Sequence, residues 1–365
     1  MNRIPVDNDP GPSPSRLDAL AAAIKRWGRE LGFQQVGIAS IDLKEHGAHL
    51  ERWLARGFHG DMDYMGAHGD KRSQPGLLIP GTQRIISVRM DYLPEDPRAW
   101  ATLKAGELAY VSRYALGRDY HKIMRKRLQQ LAEKIVESSG AMGYRAFVDS
   151  APVLEKAVAE QAGLGWIGKH TLLINRSAGS FFFLGELFTD LQLPVDAPVS
   201  AHCGSCSACI DICPTAAIVA PYQLDARRCI SYFTIESRGA IPLEFRPLMG
   251  NRVFGCDDCQ LVCPWNRYAK ASSEGDFTPR HDLDRARLLD LFAWTEAEFM
   301  SRTEGSAIRR TGYQGWLRNL AVGLGNAPYD PAIISALEQQ KTFAGEVAAE
   351  HMSWALERQR EKSVI

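Results

Sequence analysis

The stretch CGSCSACIDICP, residues 203–214, places four cysteines at the spacing C-x2-C-x2-C-x3-C and follows the last one with a proline. This is the spacing of bacterial ferredoxins, in which three close thiolates bind one 4Fe–4S cluster and the fourth binds a second cluster. A second stretch, CDDCQLVCP at residues 256–264, has the spacing C-x2-C-x3-C and the same proline. The two stretches together predict a ferredoxin-like segment that binds two 4Fe–4S clusters.

The second stretch is one cysteine short, because Val253 stands where the first cysteine would be. Cys229 belongs to neither stretch and can fill that vacancy. We therefore predict one cluster on Cys203, Cys206, Cys209 and Cys263, and the other on Cys213, Cys229, Cys256 and Cys259. Structural zinc sites are the alternative, since C-x2-C pairs also suit tetrahedral zinc, but zinc sites seldom combine three such cysteines with a Cys-Pro after each set.

Composition and charge narrow the class of protein. All eight cysteines of the 365 residues lie between positions 203 and 263, whereas disulfides would be expected to spread more widely along a chain. Lys plus Arg equals Asp plus Glu at 43 each, so a nucleic-acid partner requires a local basic surface. No apolar run approaches the ~18 residues of a membrane span, and the first residues do not resemble a signal peptide. We expect a cytoplasmic protein with no membrane association.

Hydrophobic periodicity divides the chain into four parts. After a flexible tail at residues 1–15, alternating helices and strands predict an α/β domain over residues 16–195, and a proline-containing linker follows at 193–200. The cysteine-rich domain covers residues 196–270, and an α-helical module covers residues 283–360. The helices are predicted at 16–31, 120–137, 313–324, 331–339 and 345–358, and the strands at 84–88, 144–148, 171–174 and 181–188.

Two classes of function fit these features. One is a ferredoxin-type electron-transfer protein, and the other is a reductase whose first domain holds a second cofactor. A carrier needs only a short segment around its clusters, so the long α/β domain favours the reductase. Neither glycine-rich phosphate-binding motif, G-x-G-x-x-G after a strand or G-x4-G-K-[ST], is present.

Several further stretches identify a family. YALGRDYH (114–121), VDSAP (148–152), GLGWIGK (163–169) and CISY (229–232), together with the cysteine array, closely resemble the epoxyqueuosine reductases. These are the cobalamin and iron–sulfur enzymes of the last step of queuosine formation in transfer RNA. The resemblance covers about residues 16–360. It implies a nitroreductase-related cobalamin-binding domain, the ferredoxin-like domain with two 4Fe–4S clusters, and a short α-helical repeat module.

The resemblance also implies the reaction. Epoxyqueuosine at the wobble position of tRNA would be reduced to queuosine by cob(I)alamin, which is generated through the two clusters and has no histidine below the cobalt. The alternative with the same cofactors is a corrinoid iron–sulfur reductive dehalogenase. Those enzymes typically carry a twin-arginine export signal, which this sequence lacks. We also expect an external electron donor, such as a ferredoxin or flavodoxin, and a monomer.

The family match assigns roles to individual residues. Asp149 matches the proton donor, and its place after the apolar residues 146–148 predicts a buried strand end and a raised pKa. The alternative is that Asp149 caps a helix starting near Pro152. Tyr120 is expected beside the active site. The cobalamin contacts that the match implies are Arg72, Ser112, Asp149, Leu173, Leu184, Ser231 and Asp257.

Arginines predict the RNA-binding surface. We expect those near the cysteines to lack acidic partners and to contact phosphates of an anticodon stem-loop. We expect Arg238 in particular to bind tRNA. The full set is Arg227, Arg228, Arg238, Arg246, Arg252, Arg309, Arg310 and Arg318.

Overall fold

The computed structural model describes residues 14–95, 98–140 and 142–364. The tail predicted for residues 1–15 lies outside the described residues as far as residue 13, and the first helix begins at Pro14. No helix in the described ranges combines the length and the apolar content that crossing a membrane requires. The architecture is mixed α/β.

Helices and strands alternate through the first half, and helices dominate the C-terminal part. The strands are β1 (Gln35–Ala39), β2 (Arg84–Asp91), β3 (Tyr110–Val111), β4 (Tyr144–Phe147), β5 (Trp166–Ile167), β6 (Leu173–Ile174), β7 (Phe182–Thr189), β8 (Ile218–Ala220), β9 (Gln223–Leu224) and β10 (Arg252–Phe254). The helices are α1 (Pro14–Glu30), α2 (Lys44–Ala55), α3 (Pro75–Leu78), α4 (Ala99–Lys104), α5 (Tyr120–Ser139), α6 (Glu155–Gln161), α7 (Ala208–Asp211), α8 (Ile230–Ile235), α9 (Arg246–Met249), α10 (Asp258–Leu261), α11 (Leu288–Phe292), α12 (Glu296–Arg302), α13 (Gly312–Asn326), α14 (Pro331–Lys341) and α15 (Glu346–Lys362).

A four-stranded antiparallel sheet in the order β1-β2-β7-β4 lies at the centre of the first half. The long strands β2 and β7 pair over eight residues, from Arg84 opposite Thr189 to Asp91 opposite Phe182. β7 is the apolar run predicted as a strand at 181–188, displaced by one residue. β4 lies at an edge of the sheet and is only half-buried, because β7 is its one partner strand there.

The two faces of this sheet are covered by different helices. Alternate residues of a strand point to opposite faces. On one face, Phe183 of β7 packs in the same cluster as Leu128 of α5. On the other face, Phe188 of β7 packs with Val158 of α6. This alternation places the carboxyl group of Glu186 on the α6 side, inside the core.

One predicted strand is shorter than expected. The run 171–174 was expected to be extended throughout, but β6 begins only at Leu173, where it pairs with β5. Thr171 has a φ of 67°, which is a left-handed conformation outside the extended region. The backbone therefore turns at Thr171 before the strand starts.

The predicted linker is anchored to the first domain. Residues 192–203 form neither helix nor strand, in agreement with the linker expected at 193–200. Leu193 is nevertheless fully buried. The Asp196 carboxylate accepts a hydrogen bond from the backbone N–H of Ile38 at 2.8 Å and forms an ion pair with Lys25. The connection to the cysteine-rich segment therefore has a defined path along α1 and β1.

The C-terminal helices share a core with both earlier parts. β10, from the cysteine-rich segment, pairs in parallel with β3 of the first part. Val111, Phe254, Trp316, Leu320 and Met352 all belong to one apolar cluster. The three C-terminal helices expected from periodicity are confirmed as α13, α14 and α15, with ends that differ by a few residues.

Candidate active site

Two cavities meet at the end of β4. The inner cavity has a volume of about 460 Å³ and is lined by cysteine thiols and by Asp149. The outer cavity has a volume of about 1160 Å³ and extends from Asp149 to Arg72 and Arg310. Six residues line both cavities: Asp149, Glu155, Lys156, Thr171, Leu172 and Leu224. A ligand in either cavity would therefore contact the same short wall.

The residues that the sequence assigned to cobalamin converge on these cavities. Arg72 lines the outer cavity. Tyr120, the expected active-site neighbour, lines the inner cavity. The remaining predicted contacts that line the inner cavity are Ser112, Asp149, Leu173, Leu184, Ser231 and Asp257.

The cysteines form two neighbourhoods. Burial, followed by the thiols of Cys263, Cys203 and Cys206, raises the pKa of Cys209 to about 11. Burial and then the neighbouring Cys229 thiol raise the pKa of Cys259. The thiols that line the inner cavity are those of Cys213, Cys229, Cys256 and Cys259. Within the described part of the chain, no three His, Cys, Asp or Glu side chains are arranged to hold a single metal ion.

Asp257 organises the floor of the inner cavity. Its buried carboxylate accepts hydrogen bonds from the Tyr110 hydroxyl at 2.7 Å, the Ser112 hydroxyl at 2.5 Å and the backbone N–H of Arg113 at 2.8 Å. These three hydrogen bonds fix the orientation of the carboxylate. Since the Ser112 hydroxyl proton is used in this bond, its oxygen lone pairs remain free to accept from a ligand.

His170 offers a second polar group on the inner wall. Its Nδ1 accepts a hydrogen bond from the backbone N–H of Leu172 at 3.2 Å, so the ring proton is on Nε2. Nε2 is buried and has no partner in the structure. Burial and then the nearby Lys156 lower the pKa of His170 to about 4, which keeps the ring neutral. The ring therefore presents one unused N–H donor at a wall of the cavity.

Asp149 lies where β4 ends, in a left-handed conformation with φ of 54°. Its Oδ2 is 3.6 Å from Nε2 of His121, whose Nδ1 is 2.5 Å from Oδ1 of Asp119. Burial lowers the pKa of His121, but the two carboxylates outweigh it and raise this pKa to about 9. The imidazole is therefore protonated at neutral pH and bridges two aspartates.

The expectation of a buried Asp149 with a raised pKa is wrong. The side chain is 49% exposed, because β4 is an edge strand that ends at the cavities. Contact with His121 lowers the pKa of Asp149, and this effect exceeds that of burial. The proton of this pair therefore resides on the imidazole, and Asp149 is a carboxylate at rest.

The structure does not support the capping alternative for Asp149. α6 begins at Glu155, three residues after Pro152, and its N-cap residue is Leu154. No side chain caps this helix end by a hydrogen bond. Helix capping therefore does not explain why Asp149 lies beside His121 and both cavities.

Tyr120 lies beside Asp149 and stacks on two aromatic rings. Its ring stacks on Phe183 with a centroid distance of 3.8 Å and on His121 at 4.4 Å. Burial and then the charge of Asp149 raise the pKa of the Tyr120 hydroxyl well above its usual value. Tyr120 is therefore a neutral hydroxyl that can hydrogen-bond to the carboxylate.

Sequence reasoning missed two acids behind Asp149. The Glu155 carboxyl accepts a hydrogen bond from the backbone N–H of Asp149 and lines both cavities. Glu186 is fully buried in β7. A lone acid in the apolar run FFFLGELF was a signal that could have identified Glu186. Glu155 has no comparable signal, because its role depends on the path of the chain between β4 and α6.

Several arginines have acidic or backbone partners, contrary to expectation. The Arg246 guanidinium is 2.9 Å from the Glu350 carboxylate, and Nε of Arg252 is 2.7 Å from that of Asp258. Arg318 is buried and donates to backbone carbonyls. Arg246 and Arg318 connect the C-terminal helices to the cysteine-rich segment, whereas Arg252 pairs within that segment. The expectation that acidic partners are lacking is therefore wrong for Arg246 and Arg252. Arg227 likewise pairs with an acid, Asp225.

Arg238 and Arg72 also make defined contacts. Arg238 is exposed and donates to the carbonyl oxygens of Thr311 at 2.8 Å and Arg310 at 2.7 Å. Arg72 is buried and donates to the carbonyl oxygen of Tyr64 at 2.7 Å, while its Nε has no partner in the structure. Both guanidinium groups are thereby oriented by backbone carbonyls.

Comparison with known proteins gives two family matches. Residues 202–266 match the family described as "4Fe-4S double cluster binding domain". Residues 72–150 match the family described as "Epoxyqueuosine reductase QueG, DUF1730". The first match covers the cysteines, and the second ends just after Asp149.

Full-length relatives extend these matches along the chain. The epoxyqueuosine reductase of Pseudomonas aeruginosa is 66% identical over 357 residues, covering 98% of each chain. That of Escherichia coli is 58% identical over 351 residues, covering 96% of this chain and 92% of the relative. A crystal structure of epoxyqueuosine reductase with a tRNA-Tyr epoxyqueuosine-modified stem loop superposes with a TM-score of 0.80 at 26% identity, covering 94% and 99% of the two chains.

Proposed function

Because the chain belongs to the epoxyqueuosine reductases, we infer that it reduces the epoxide of epoxyqueuosine, at the wobble position of tRNA, to the double bond of queuosine. The reaction consumes two electrons and two protons and releases one water. The observation that carries this inference is the inner cavity, whose walls contain both cysteine thiols and Asp149. A substrate at the wall that the two cavities share could receive electrons by way of the inner cavity and a proton from Asp149.

The test is direct nucleoside analysis. Transfer RNA that contains epoxyqueuosine is incubated with anaerobically purified, chemically reduced protein, and the nucleosides are separated after digestion. We expect queuosine to replace epoxyqueuosine, and no change without the reductant. Absence of queuosine from a sample whose spectrum shows both clusters and corrinoid would contradict the inference. A spectrum with clusters and no corrinoid bands would favour an electron carrier.

The residues around the inner cavity fit a cobalamin. A corrin is a flat apolar ring edged with amide groups, and the cavity combines apolar side chains with polar groups at its walls. The unused Nε2–H of His170 and the free lone pairs of Ser112 can each bind an amide. The residues we propose to hold the cofactor are Arg72, Ser112, Asp149, Leu173, Leu184, Ser231 and Asp257. Bound cobalamin supplies a reduced, strongly nucleophilic cobalt for opening the epoxide.

The two thiol neighbourhoods suit an electron path. We propose Cys213, Cys229, Cys256 and Cys259 as ligands of the cluster beside the inner cavity, and Cys203, Cys206, Cys209 and Cys263 as ligands of the other. Each iron of a 4Fe–4S cluster takes one thiolate, so four ligands per cluster use every cysteine. Cys206 is exposed. An external donor such as a ferredoxin or flavodoxin would therefore deliver electrons near Cys206.

We propose Asp149 as the residue that passes a proton to the substrate. Opening the epoxide leaves an oxyanion that must be protonated. His121 stores a proton at neutral pH and lies beside Asp149, which lines both cavities. The proton would move from the imidazole through the Asp149 carboxyl to the oxygen. Tyr120 would orient this carboxyl through its hydroxyl.

The outer cavity is our proposed entrance for the tRNA. The relative solved with a modified stem loop supports RNA as the partner. An enzyme that acts on a base must take that base out of its stack, and the outer cavity leads directly to Asp149. Arg238 is exposed beside Arg310, which lines this cavity, so we propose Arg238 as a phosphate contact. A tRNA substrate also supports action in the cytoplasm, and we propose that the protein acts as a monomer.

The finer fold assignment is likewise a proposal. We propose a nitroreductase-related cobalamin-binding domain over residues 16–195, a ferredoxin-like domain over 196–270 and a helical-repeat module over 283–360. The double-cluster family match at 202–266 supports the second of these. The helix pairs α13–α15 and α14–α15, which pack closely, support the third.

A further inference from the structure

Reduction of an epoxide to an alkene needs a second proton. The first proton neutralises the oxygen when the ring opens, and the second lets that oxygen leave as water while the double bond forms. Both protons end on the same departing oxygen. The His121–Asp149 pair stores one proton. Another proton source close to the same position would complete the reaction.

Glu186 is a buried acid whose carboxyl oxygens accept no hydrogen bond from the described residues. Its residue is fully buried on the α6 side of the central sheet. Among the described residues, no N–H or O–H group donates to either of its carboxyl oxygens. Burial raises the pKa of Glu186 well above its usual value, and the neighbouring Glu155 raises it further. An ionised carboxylate without partners in a protein interior would be strongly destabilising, so Glu186 favours its protonated form.

Glu155 connects this buried acid to the cavities. Its carboxyl is close enough to that of Glu186 for each group to shift the pKa of the other. Burial and then the charge of Asp149 raise the pKa of Glu155 to about 7. Two carboxyls that share a proton titrate as a pair. The Glu155 side chain also lines both cavities and accepts from the backbone N–H of Asp149.

The other groups that face the pair come from every neighbouring element. Asp149 contributes a negative charge and His121 a positive charge, from the end of β4 and the start of α5. Lys156 follows Glu155 in α6, donates to the carbonyl oxygen of Thr171 at 2.8 Å and has a pKa lowered by burial. On β2, Ser87 is opposite Glu186 in the sheet register and its buried hydroxyl has no partner in the structure.

We propose that Glu155 and Glu186 share one proton and supply it, through Glu155, as the second proton of epoxide reduction. This inference rests on the function proposed above. The proton leaves the Glu155 carboxyl for the hydroxyl of the opened ring, directly or through one water. The C–O bond then breaks, water departs with both protons, and the two electrons remain in the new double bond. The pair gains one negative charge and is reprotonated from solvent between turnovers.

A purely structural role explains these residues poorly. Packing alone would be served by an apolar side chain at position 186, since a buried acid next to another acid is costly. The pair also lies directly behind Asp149 and not at a remote site. Buried acids with strongly shifted pKa values beside a cavity are typical of groups that transfer protons.

Two variants test the proposal, Glu186→Gln and Glu155→Gln, and Glu160→Gln is the control. Glu160 is in α6 too, is half-buried, and lines neither of the two cavities. In Glu186→Gln the amide can donate to the Glu155 carboxylate and favour its ionised form. We therefore expect the pH at which Glu155 titrates to fall by about one unit or more.

The first measurement is infrared titration of the holoenzyme without tRNA. The wild type and Glu160→Gln should show a protonated-carboxyl band that is lost as the pH rises through about 7. That loss near pH 7 should be absent from Glu155→Gln and Glu186→Gln. Its persistence in both variants, or its absence from the wild type, would overturn the proposal.

The second measurement is single-turnover queuosine formation against pH. In the wild type the rate should decline above the pH at which Glu155 titrates. At pH 8, Glu186→Gln and Glu155→Gln should each be slower by at least about tenfold, toward the lower end of the range for a general acid. The Glu160→Gln profile should match the wild type. Unchanged pH profiles for both pair variants, while the wild type still makes queuosine, would refute the pair's role and leave the proposed function intact.

Discussion

Asp149→Asn should nearly abolish queuosine formation while both clusters, cobalamin and tRNA remain bound. Asparagine keeps the shape of the side chain and can still accept a hydrogen bond, but it has no carboxyl through which a proton can pass. A general acid contributes about 10²- to 10⁴-fold, or roughly 3 to 5 kcal/mol of barrier. Single-turnover queuosine formation should fall by that factor.

The structure also sets the expected effect on His121. Its pKa of about 9, against an ordinary 6.5, corresponds to about 3 kcal/mol of preference for the imidazolium. Asp119 is the nearer partner at 2.5 Å, and Asp149 is 3.6 Å away. We therefore expect the smaller part of this preference to disappear in Asp149→Asn, so that His121 titrates about one pH unit lower. Histidine NMR of the holoenzyme with oxidised clusters measures this change.

Asp119→Asn is the matched control. Asp119 lines neither cavity and accepts from the backbone N–H of His121 at the start of α5, a capping role that asparagine fills equally well. This variant should lower the pKa of His121 at least as much but retain the Asp149 carboxyl, so its rate should fall far less. Queuosine formation by Asp149→Asn within threefold of the wild type would rule out its role in proton transfer.

Three further predictions concern the clusters, the RNA and the stability of the site. Cys229→Ala should reduce the iron content from about eight to about four atoms per chain, and an unchanged spectrum would contradict the proposed ligand sets. Arg238→Ala should weaken tRNA binding and reduce its dependence on salt while both cofactor spectra stay intact. Affinity equal to that of the wild type across a salt series would exclude Arg238 as a contact. The raised pKa of His121 means that its ion pairs contribute fully below pH 6.5 and are lost as the pH rises through about 9. Near pH 6, the free energy of unfolding of His121→Gln should therefore be lower than that of the wild type by up to about 2 kcal/mol, a value reduced to allow for the exposure of Asp149. Denaturation measured above about pH 10 should show no difference between the two proteins.

Local patterns predicted the secondary structure well. The apolar spacing of residues 120–137 predicted α5, and the run at 181–188 predicted β7 to within one residue. These signals are contained in neighbouring residues, because helix and strand periodicities depend on which side chains share a face. The strand at 171–174 was overestimated, since a left-handed Thr171 is not visible in a pattern of apolar residues.

The partners of the arginines could not be read from the sequence. Arg246 pairs with Glu350, more than one hundred residues later in the chain. The acidic partner of Arg252 is only six residues away, but the pairing depends on the turn between β10 and α10. Charge counts along the chain give no information about such contacts, because they form only when the chain folds.

The sequence by itself determined the family and the spacing of the cysteines, and it predicted a role for Asp149, because each of these depends on residues that are close along the chain. Only the tertiary structure decided where the protons reside. His121 lies at the start of α5 and Asp149 at the end of β4, and their contact keeps Asp149 ionised. Glu186 meets Glu155 only because β7 crosses beneath α6. Protonation depends on burial and on nearby charges in three dimensions, and patterns of neighbouring residues in the sequence do not reveal either of these.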